Sequence, residues 1–426
     1  MTIYHANILY TPTPNAFVVK RAGFVVVNTQ GIIEGVYDIL PEQYGTYSVI
    51  ELGDKLLIPA MNDMHVHAPQ YMNMGVAMDQ ELLPWLNTYI FPEESKFVDI
   101  NYARTIYQEF VKELCRQGTM RATVFATTHL PATKCLIDCF DKAGMGALIG
   151  FVGMDRNAPE YLQNTPRSWY DGMLSLEEYL KDNPRVHTIV TPRFIPSCTS
   201  DMLRTMGEMA QVHNLPVQSH LSENKSEIKW VKELEPLALC YGDAYNRYGL
   251  FGQTPTLMAH CCYTDGLELQ LMRENRVGVV HCPTSNCNLA SGIAPIRRFL
   301  QEGICVTLGS DIAGGHHMSI MRVMQYAVQM SKLQYALTNG QDAFLTLSEV
   351  FYMATKAASS FFGKVGSFES GYAFDALVID DTSLYHGSQD NNNDILQRLE
   401  RFIYIGDDRN IVKRFCQGVE IDIHNL

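Results

Sequence analysis

Histidine and aspartate side chains in this sequence stand where short apolar runs give way to polar or glycine-rich residues. His65 and His67 close one such run, and His220, His260 and Asp311 close three others. Side chains alternate between the faces of a β-strand, so His65 and His67 point to the same side and can bind one ion together. Imidazoles and a carboxylate that meet in space suit a catalytic metal with a coordination position open for water.

A metal site of this kind is suited to hydrolysis. A divalent cation lowers the pKa of bound water to about 7 and so supplies hydroxide near neutral pH. Glu223 follows His220 by three residues and can serve there as a general acid and base. It can equally be the capping glutamate of the following helix. Beside a metal we favour the proton shuttle.

Each histidine taken alone has a plain structural interpretation. The chain holds 13 histidines, so an isolated His-x-His pair is unremarkable, and a single buried histidine is more often a hydrogen-bonded core residue. The interpretation as one site therefore depends on a fold that brings these side chains together.

Strand-like apolar runs alternate with amphipathic, helix-like stretches across residues 58–365, which we take as the catalytic domain. Eight runs fit buried strands: Leu56–His67, Ala122–His129, Ala147–Met154, Thr188–Phe194, Val217–Glu223, Thr256–His260, Val277–His281 and Val306–Asp311. The helical stretches include Asn101–Arg116, Lys134–Ala143, Asp201–His213 (capped by Ser200) and Met318–Leu333. This alternation predicts an α/β fold, a (β/α)8 TIM barrel, whose active site lies at the C-terminal ends of the strands. All five candidate residues are expected to meet at that mouth.

The two ends of the chain are predicted to combine into a small β-sandwich domain formed by residues 1–57 and 366–426. The β-like runs in them are Gly23–Val27, Gly31–Ile33, Phe374–Ile379, Phe402–Ile405 and Ile411–Ile421. The polar tract Gln389–Asp394 is predicted to be a solvated loop.

The composition is that of a globular protein. Of the 426 residues, 46% are hydrophobic and 19% are charged, which separates the chain from disordered proteins. A net charge of −13 argues against binding to nucleic acid or to anionic membranes and leaves a neutral small molecule, such as a nucleobase, as a partner. Eleven scattered cysteines, with no signal pattern or long apolar stretch, predict a cytoplasmic location.

Several segments resemble the guanine deaminase family, in the mononuclear branch of the amidohydrolase superfamily. The order His-x-His, His, His, Asp on alternating β/α units is typical of the superfamily, and the resemblance covers essentially the whole chain. The similar segments are His67–Tyr71, Pro84–Leu86, Met154–Asp155, Pro159–Tyr161, Thr191–Phe194, Ser219–Glu223, His281–Asn286, Asp311–Gly315 and Gly406–Asn410.

The resemblance implies a ligand set. One Zn²⁺ per subunit, or Fe²⁺ in its place, would be held by His65, His67, His220 and Asp311. Binuclear relatives bridge two metals with a lysine or glutamate, whereas Ile189–Arg193 of the fourth strand contains no lysine. The resemblance also implies a homodimer.

The resemblance further implies a reaction and its catalytic residues. Glu223 would move a proton from the attacking water to N3 of guanine while C2 is attacked, and ammonia would leave to give xanthine. His260 and Asp311 would orient the water.

The substrate contacts are implied in the same way. Gln70 and Arg193 would recognise the purine edge, because an arginine donor suits the O6 carbonyl of guanine and opposes the amino group of adenine. The metal ligands His67 and His220 would lie beside the base. Trp85 and Phe194 would supply apolar walls.

Three functions stay open. The first is guanine deamination, the second is hydrolysis of a related amino- or halo-substituted heterocycle such as a modified purine or a triazine, and the third is non-catalytic purine binding by a metal-bearing protein. Glu223 and Asp311 argue against the third, because a binding protein needs no proton shuttle. The H-x-E and P-C-x-x-C signature of the other zinc-deaminase fold is missing. His316 and His317 are expected to be plain loop residues.

Overall fold

The structure is a computed structural model that describes residues 1–384 and 394–426. Of the predicted loop Gln389–Asp394, all but the last residue lies outside the described residues. Asp394 caps the helix that follows, because its side chain accepts hydrogen bonds from the backbone N–H groups of Leu396 and Gln397.

The catalytic part is a barrel of parallel strands, as predicted. Its strands are β5 (Met61–His67), β6 (Thr119–Phe125), β7 (Gly146–Gly150), β8 (Val152–Gly153), β9 (Val186–Thr188), β10 (Thr191–Pro192), β11 (Val217–Leu221), β12 (Thr256–His260), β13 (Gly278–His281) and β14 (Val306–Leu308). They pair in the orders β5-β6-β7-β9, β8-β10 and β11-β12-β13-β14, and a bridge from Val190 to Val217 joins neighbouring sheets. Asp311 N donates to His65 O at 2.8 Å and His67 N donates to Ile312 O at 3.1 Å. These bonds close the barrel.

Most barrel strands are shorter than the apolar runs that predicted them, although β12 has the predicted bounds Thr256–His260. The run Leu56–His67 is divided at Ala60, because its first part belongs to β4 (Val49–Pro59) of the terminal sheet and only its second part is β5. The run Ala147–Met154 likewise divides into β7 and β8. A continuous apolar run carries no periodic signal at which such a break could be placed.

The helices lie around the barrel. They are α1 (Leu82–Trp85), α2 (Phe91–Glu94), α3 (Ile100–Arg116), α4 (Leu130–Ala143), α5 (Pro166–Leu180), α6 (Ser200–His213), α7 (Lys225–Leu234), α8 (Tyr241–Asn246), α9 (Gly266–Asn275), α10 (Pro283–Asn288), α11 (Ile296–Gln301), α12 (Ile320–Leu337), α13 (Leu347–Ala354), α14 (Ser359–Phe362) and α15 (Ile395–Ile405). The four predicted helical stretches correspond to α3, α4, α6 and α12. The cap of α6 is Thr199 rather than Ser200, because the Thr199 hydroxyl accepts from Met202 N.

The remaining strands form one sheet from both ends of the chain. They are β1 (Thr2–Thr13), β2 (Ala16–Val27), β3 (Ile33–Tyr37), β4, β15 (Ala376–Ile379), β16 (Ile411–Cys416) and β17 (Val419–Glu420), in the order β17-β16-β15-β4-β1-β2-β3. The ring of Tyr4 on β1 lies 5.3 Å from that of Phe415 on β16, although β4 and β15 separate these strands. The sheet therefore curves around its own core. The two layers expected of a sandwich are parts of this one hydrogen-bonded sheet.

One predicted strand is wrong. Phe402–Ile405 is the last turn of helix α15, not a strand. The buried residues Ile395, Leu399 and Phe402 recur at helical spacing, a pattern that the four-residue apolar run was too short to reveal. Gln325 of α12 donates to Ile403 O, so this helix packs on the barrel. The domain bounds 1–57, 58–365 and 366–426 stay a prediction.

Within the described residues, no helix is both long enough and apolar enough to cross a membrane.

Candidate active site

The four predicted metal ligands meet at the mouth of the barrel. His65, His67, His220 and Asp311 are buried, and one ligand atom from each lies within 4.8 Å of the others. Oδ1 of Asp311 lies 3.1 Å from His65 Nε2 and 3.3 Å from His67 Nε2. The φ angle of Asp311 is 47°, a left-handed conformation that is uncommon outside glycine. Asp311 lies just beyond the C-terminal end of β14.

The protonation of the cluster suits a cation. His220 Nδ1 lies 2.6 Å from the carbonyl oxygen of Arg193, which can only accept, so Nδ1 carries the hydrogen and Nε2 presents a lone pair. Burial lowers the pKa of His67 to about 3 and that of His220 well below its usual value, aided by the neighbouring histidines. Although burial opposes it, His65 holds the pKa of Asp311 well below its usual value. Neutral imidazoles and an ionised carboxylate are the forms that bind metals.

The contact between His67 and His220 also indicates a cation-binding cluster. Their Nε2 atoms lie 3.2 Å apart, and two lone pairs at this distance repel unless a cation or a proton lies between them. The lowered pKa values of both rings disfavour the imidazolium form, and neutral imidazoles can bind a cation through Nε2. Three imidazoles and one carboxylate are borderline ligands of the kind that Zn²⁺ and Fe²⁺ accept, so the residues present fit the predicted metal.

His260 lies beside the cluster and faces two carboxylates. Its Nδ1 lies 2.8 Å from Asn286 Oδ1, which makes Nδ1 the donor, and its Nε2 has no hydrogen-bond partner in the part of the chain that the structure describes. That Nε2 lies 3.6 Å from Glu223 Oε2 and 3.7 Å from Asp311 Oδ2. The arrangement leaves Nε2 available to a small molecule, such as water, between the carboxylates.

Glu223 is not the capping residue of α7. Asn224 is the N-cap, and Glu227 completes the capping box. Glu227 Oε2 accepts from Glu223 N at 3.1 Å, so Glu227 fixes the backbone of Glu223. The Glu223 side chain accepts from Ser291 Oγ at 3.1 Å and is 3% exposed as a residue. Burial, followed by the charge of Asp311, raises the pKa of Glu223 to about 8, which suits proton transfer near neutral pH.

One cavity connects these groups. The predicted residues that line it are His67, Gln70, Trp85, Arg193, Phe194, His220, Glu223, His260 and Asp311. Leu82, Leu86 and Leu289 also line it and were missed. Leu82 lies three residues before Trp85 and four before Leu86, spacings that place the three side chains on one face of a helix. This spacing is the sequence signal that could have added both leucines to the cavity wall.

The two polar residues expected to recognise the base are already bound to protein groups. Gln70 Oε1 accepts from Ala313 N at 3.0 Å, which orients the amide and leaves its Nε2 donor for a ligand. Arg193 donates through Nη1 to Glu94, at 2.6 Å from Oε1 and 2.9 Å from Oε2. No motif in the sequence singled out Glu94.

His316 and His317 lie in the loop after Asp311 and outside the ligand cluster. Asn288 Nδ2 lies 2.9 Å from His316 Nδ1, and the two histidine rings contact each other at 4.6 Å.

Comparisons with known proteins agree with this geometry. The amidohydrolase family matches residues 56–421. A guanine deaminase of Dictyostelium discoideum is 39% identical over 380 residues, which cover 88% of this chain and 84% of that protein. A crystal structure of guanine deaminase from C. acetobutylicum, with guanine bound in its active site, is 46% identical with a TM-score of 0.96 and covers 99% of this chain and 100% of that one.

The chain belongs to the guanine deaminase family. The predicted superfamily, the barrel fold and the class of metal-dependent aminohydrolase are thereby confirmed. An atrazine chlorohydrolase from Arthrobacter aurescens TC1, 13% identical with a TM-score of 0.86 over 99% of this chain and 95% of that one, shares the fold alone. The guanine deaminase family therefore accounts for sequence and structure together, whereas the triazine hydrolase accounts only for the architecture.

Proposed function

We propose that the protein hydrolyses guanine to xanthine and ammonia, with Glu223 as the proton shuttle. The observation that carries the proposal is the shared cavity, in which a buried glutamate, an imidazole and a metal-binding cluster face the same space as Arg193. The guanine deaminases that this chain resembles support the choice of substrate.

We assign the metal position to His65, His67, His220 and Asp311. One Zn²⁺ per subunit fits these donors best, with Fe²⁺ as the alternative because imidazole and carboxylate accept both ions. When bound, the ion supplies a water molecule whose pKa is lowered to about 7.

Glu223 moves the proton in this proposal. Its Oε2 takes a proton from the attacking water and delivers it to N3 of guanine while the oxygen adds to C2. The remaining hydroxyl proton then passes to the C2 amino group, the C2–N bond breaks, and ammonia leaves as the C2=O bond of xanthine forms. A pKa near 8 for the buried carboxyl group supports a residue that both takes up and releases a proton near neutral pH. His260 orients the water through Nε2, and Asn286 holds the ring in place.

The base is recognised by hydrogen-bond donors. The guanidinium of Arg193 only donates, and the Nε2 of Gln70 supplies a second donor, since its Oε1 already accepts from Ala313 N. Guanine presents two acceptors, O6 and N7, on one edge, whereas adenine replaces O6 with an amino donor. Two donors therefore favour guanine. The apolar rings of Trp85 and Phe194 complete the walls.

Ammonia release by the purified protein tests the function. We expect release from guanine and none from adenine, cytosine or a triazine amine, and we expect a metal chelator to abolish it and added Zn²⁺ to restore it. Release from another substrate would keep the hydrolytic site and reject the roles of Gln70 and Arg193. Retention of guanine binding by the metal-loaded protein without any release would favour the non-catalytic alternative.

We also propose a cytoplasmic homodimer. The cysteines in the described residues are all free thiols, which supports a reducing compartment. The dimer rests on the family resemblance, and light scattering coupled to size-exclusion chromatography tests it: a mass of one chain would reject it.

A further inference from the structure

Arg193 is held by a buried ion pair with a residue outside the barrel strands. The side chains of Arg193 and Glu94 are 4% and 2% exposed. The guanidinium carbon of Arg193 also lies 5.4 Å from the centre of the Phe91 ring. Phe91 and Glu94 form the ends of α2, which follows the segment whose Leu82 and Trp85 line the cavity.

We propose that Glu94 is a positioning residue that selects guanine through Arg193. It fixes the guanidinium so that the remaining N–H groups face O6 of the base, and it balances the buried positive charge so that the cavity takes a neutral ligand. The inference rests on the proposed function and adds a residue to its specificity.

The hydrogen bonds of Arg193 explain how Glu94 can do this. Among the described residues, the guanidinium donates to Glu94 through Nη1 alone. A guanidinium is a rigid planar fork with five N–H donors, so fixing Nη1 also fixes the direction of Nε and Nη2. Those two nitrogens belong to a residue that lines the cavity, and they are the donors left for a ligand.

The backbone of Arg193 is fixed from the other side. Its carbonyl oxygen accepts from His220 Nδ1 at 2.6 Å. One residue therefore orients a metal ligand through its main chain and meets the substrate through its side chain. Glu94 completes this arrangement, because without it the long side chain would have no anchor at its tip.

A second buried pair shows what a purely structural role looks like. Arg121 donates to Asp375 through Nε at 2.6 Å and Nη2 at 3.2 Å, with side-chain exposures of 7% and 3%. Neither residue lines the active-site cavity. This pair is a matched control for the loss of a buried charge.

The test compares guanine with 2-aminopurine, which has the same C2 amino group and no O6. In the metal-loaded enzyme, we expect Glu94→Gln to lower kcat/KM for guanine about tenfold, chiefly through KM, as for loss of a charged hydrogen-bond partner. The kcat/KM for 2-aminopurine should stay within about twofold, since no O6 contact exists to lose. Asp375→Asn should lower the melting temperature and leave the ratio of the two substrates unchanged.

A double-mutant cycle separates Glu94 from the rest of the pocket. In the Arg193→Ala background, Glu94→Gln should have no further effect on the ratio of guanine to 2-aminopurine, because the residue acts only through the guanidinium. Equal losses for both substrates in Glu94→Gln, or an unchanged kcat/KM for guanine, would overturn the proposal. If that variant does not fold, Glu94→Asp keeps the charge and shortens the side chain. The ratio of kcat/KM for guanine to kcat/KM for 2-aminopurine then tests the proposal in that variant.

The failure of the proposed function would look different. A wild-type enzyme that releases no ammonia from guanine would reject the function and leave the binding question open to a direct measurement. Displacement of 2-aminopurine by guanine, followed by fluorescence, should then require about tenfold more guanine in Glu94→Gln than in the wild type. Equal displacement in both proteins would overturn the role of Glu94.

Discussion

The mouth of the barrel and the junction between barrel and sheet both bury charged side chains, but they use them differently. At the junction, Asp375 binds Arg121 through both oxygens and also accepts from Gln417 N at 2.7 Å. Arg414 donates to the carbonyl oxygens of Cys115 and Arg116 at 2.8 and 2.7 Å. Each of these buried groups has partners within the protein.

At the mouth, bonding capacity remains unused. Among the described residues, His260 Nε2 and His67 Nδ1 have no hydrogen-bond partner, and the Nε2 atoms of His67 and His220 lie 3.2 Å apart. A buried polar group without a partner destabilises the folded state, and a bound ion or ligand is one explanation for such a group. In these two regions, full pairing accompanies a structural role, whereas the unpaired groups lie beside the candidate metal site.

The strongest test of this contrast removes the titratable carboxyl group of Glu223. Glu223→Gln should lower kcat by about 10²–10⁴-fold, the usual contribution of a general acid and base, while metal content and melting temperature stay near those of the wild type. Ammonia release and atomic absorption measure the two quantities. Full activity in this variant would remove Glu223 from the mechanism.

The opposite result is expected at the junction. Asp375→Ala should lower the free energy of unfolding by about 3–5 kcal/mol, because Arg121 is left as an unpaired buried charge. Urea unfolding measures the loss, and kcat/KM of the protein that remains folded should be unchanged. A variant that is as stable as the wild type would show that the pair does not stabilise the junction.

Glu227 shares features with both regions. Its carboxylate is hydrogen-bonded within the protein, as at the junction, and it adjoins Glu223 of the candidate active site. It accepts from Tyr241 Oη at 2.6 Å and from Glu223 N at 3.1 Å. Burial, followed by the charge of Glu223, raises the pKa of Glu227 from 4.5 to about 7. The folded protein therefore binds this proton more tightly than the unfolded chain does, so its stabilisation is complete below pH 4.5 and is lost as the pH rises through about 7.

Glu227→Gln should remove that pH dependence. The stability of the wild type relative to the variant should fall by at most about 3 kcal/mol between pH 4.5 and pH 8, measured by urea unfolding at several pH values. Both proteins carry the same metal ligands, so metal loss at low pH cancels in the difference. Parallel curves would mean that Glu227 does not hold a proton in the folded state.

The smallest effect is expected at Ser291, which donates to Glu223 Oε1. Ser291→Ala should lower kcat about fivefold, as for loss of one hydrogen bond. It should also raise the pKa of Glu223 further, because this bond lowers it, and so move the corresponding limb of the kcat profile to higher pH. Ser331→Ala removes a hydroxyl that donates to Val328 O away from the cavity, and it should leave the profile unchanged.

Much of the fold followed from local patterns. The alternation of buried strands and amphipathic helices predicted the barrel, because both periodicities are set by backbone geometry within a few residues. Helix α15 was mistaken for a strand, since the visible apolar run covered barely one turn. The curvature that joins both ends of the chain into one sheet depends on contacts such as Tyr4 with Phe415, which no local pattern encodes.

The sequence by itself determined which histidines and carboxylates end which strands, and hence a metal-binding cluster, a family and the proposed shuttle. Only the tertiary structure decided the partners, because hydrogen bonds join residues distant in the chain. It directed the lone pair of His220 by a bond to the carbonyl of Arg193, gave the capping-box glutamate of α7 to Glu227 instead of Glu223, and paired Arg193 with Glu94. Residue types specify what a side chain can do, whereas burial and long-range contacts determine its protonation and orientation.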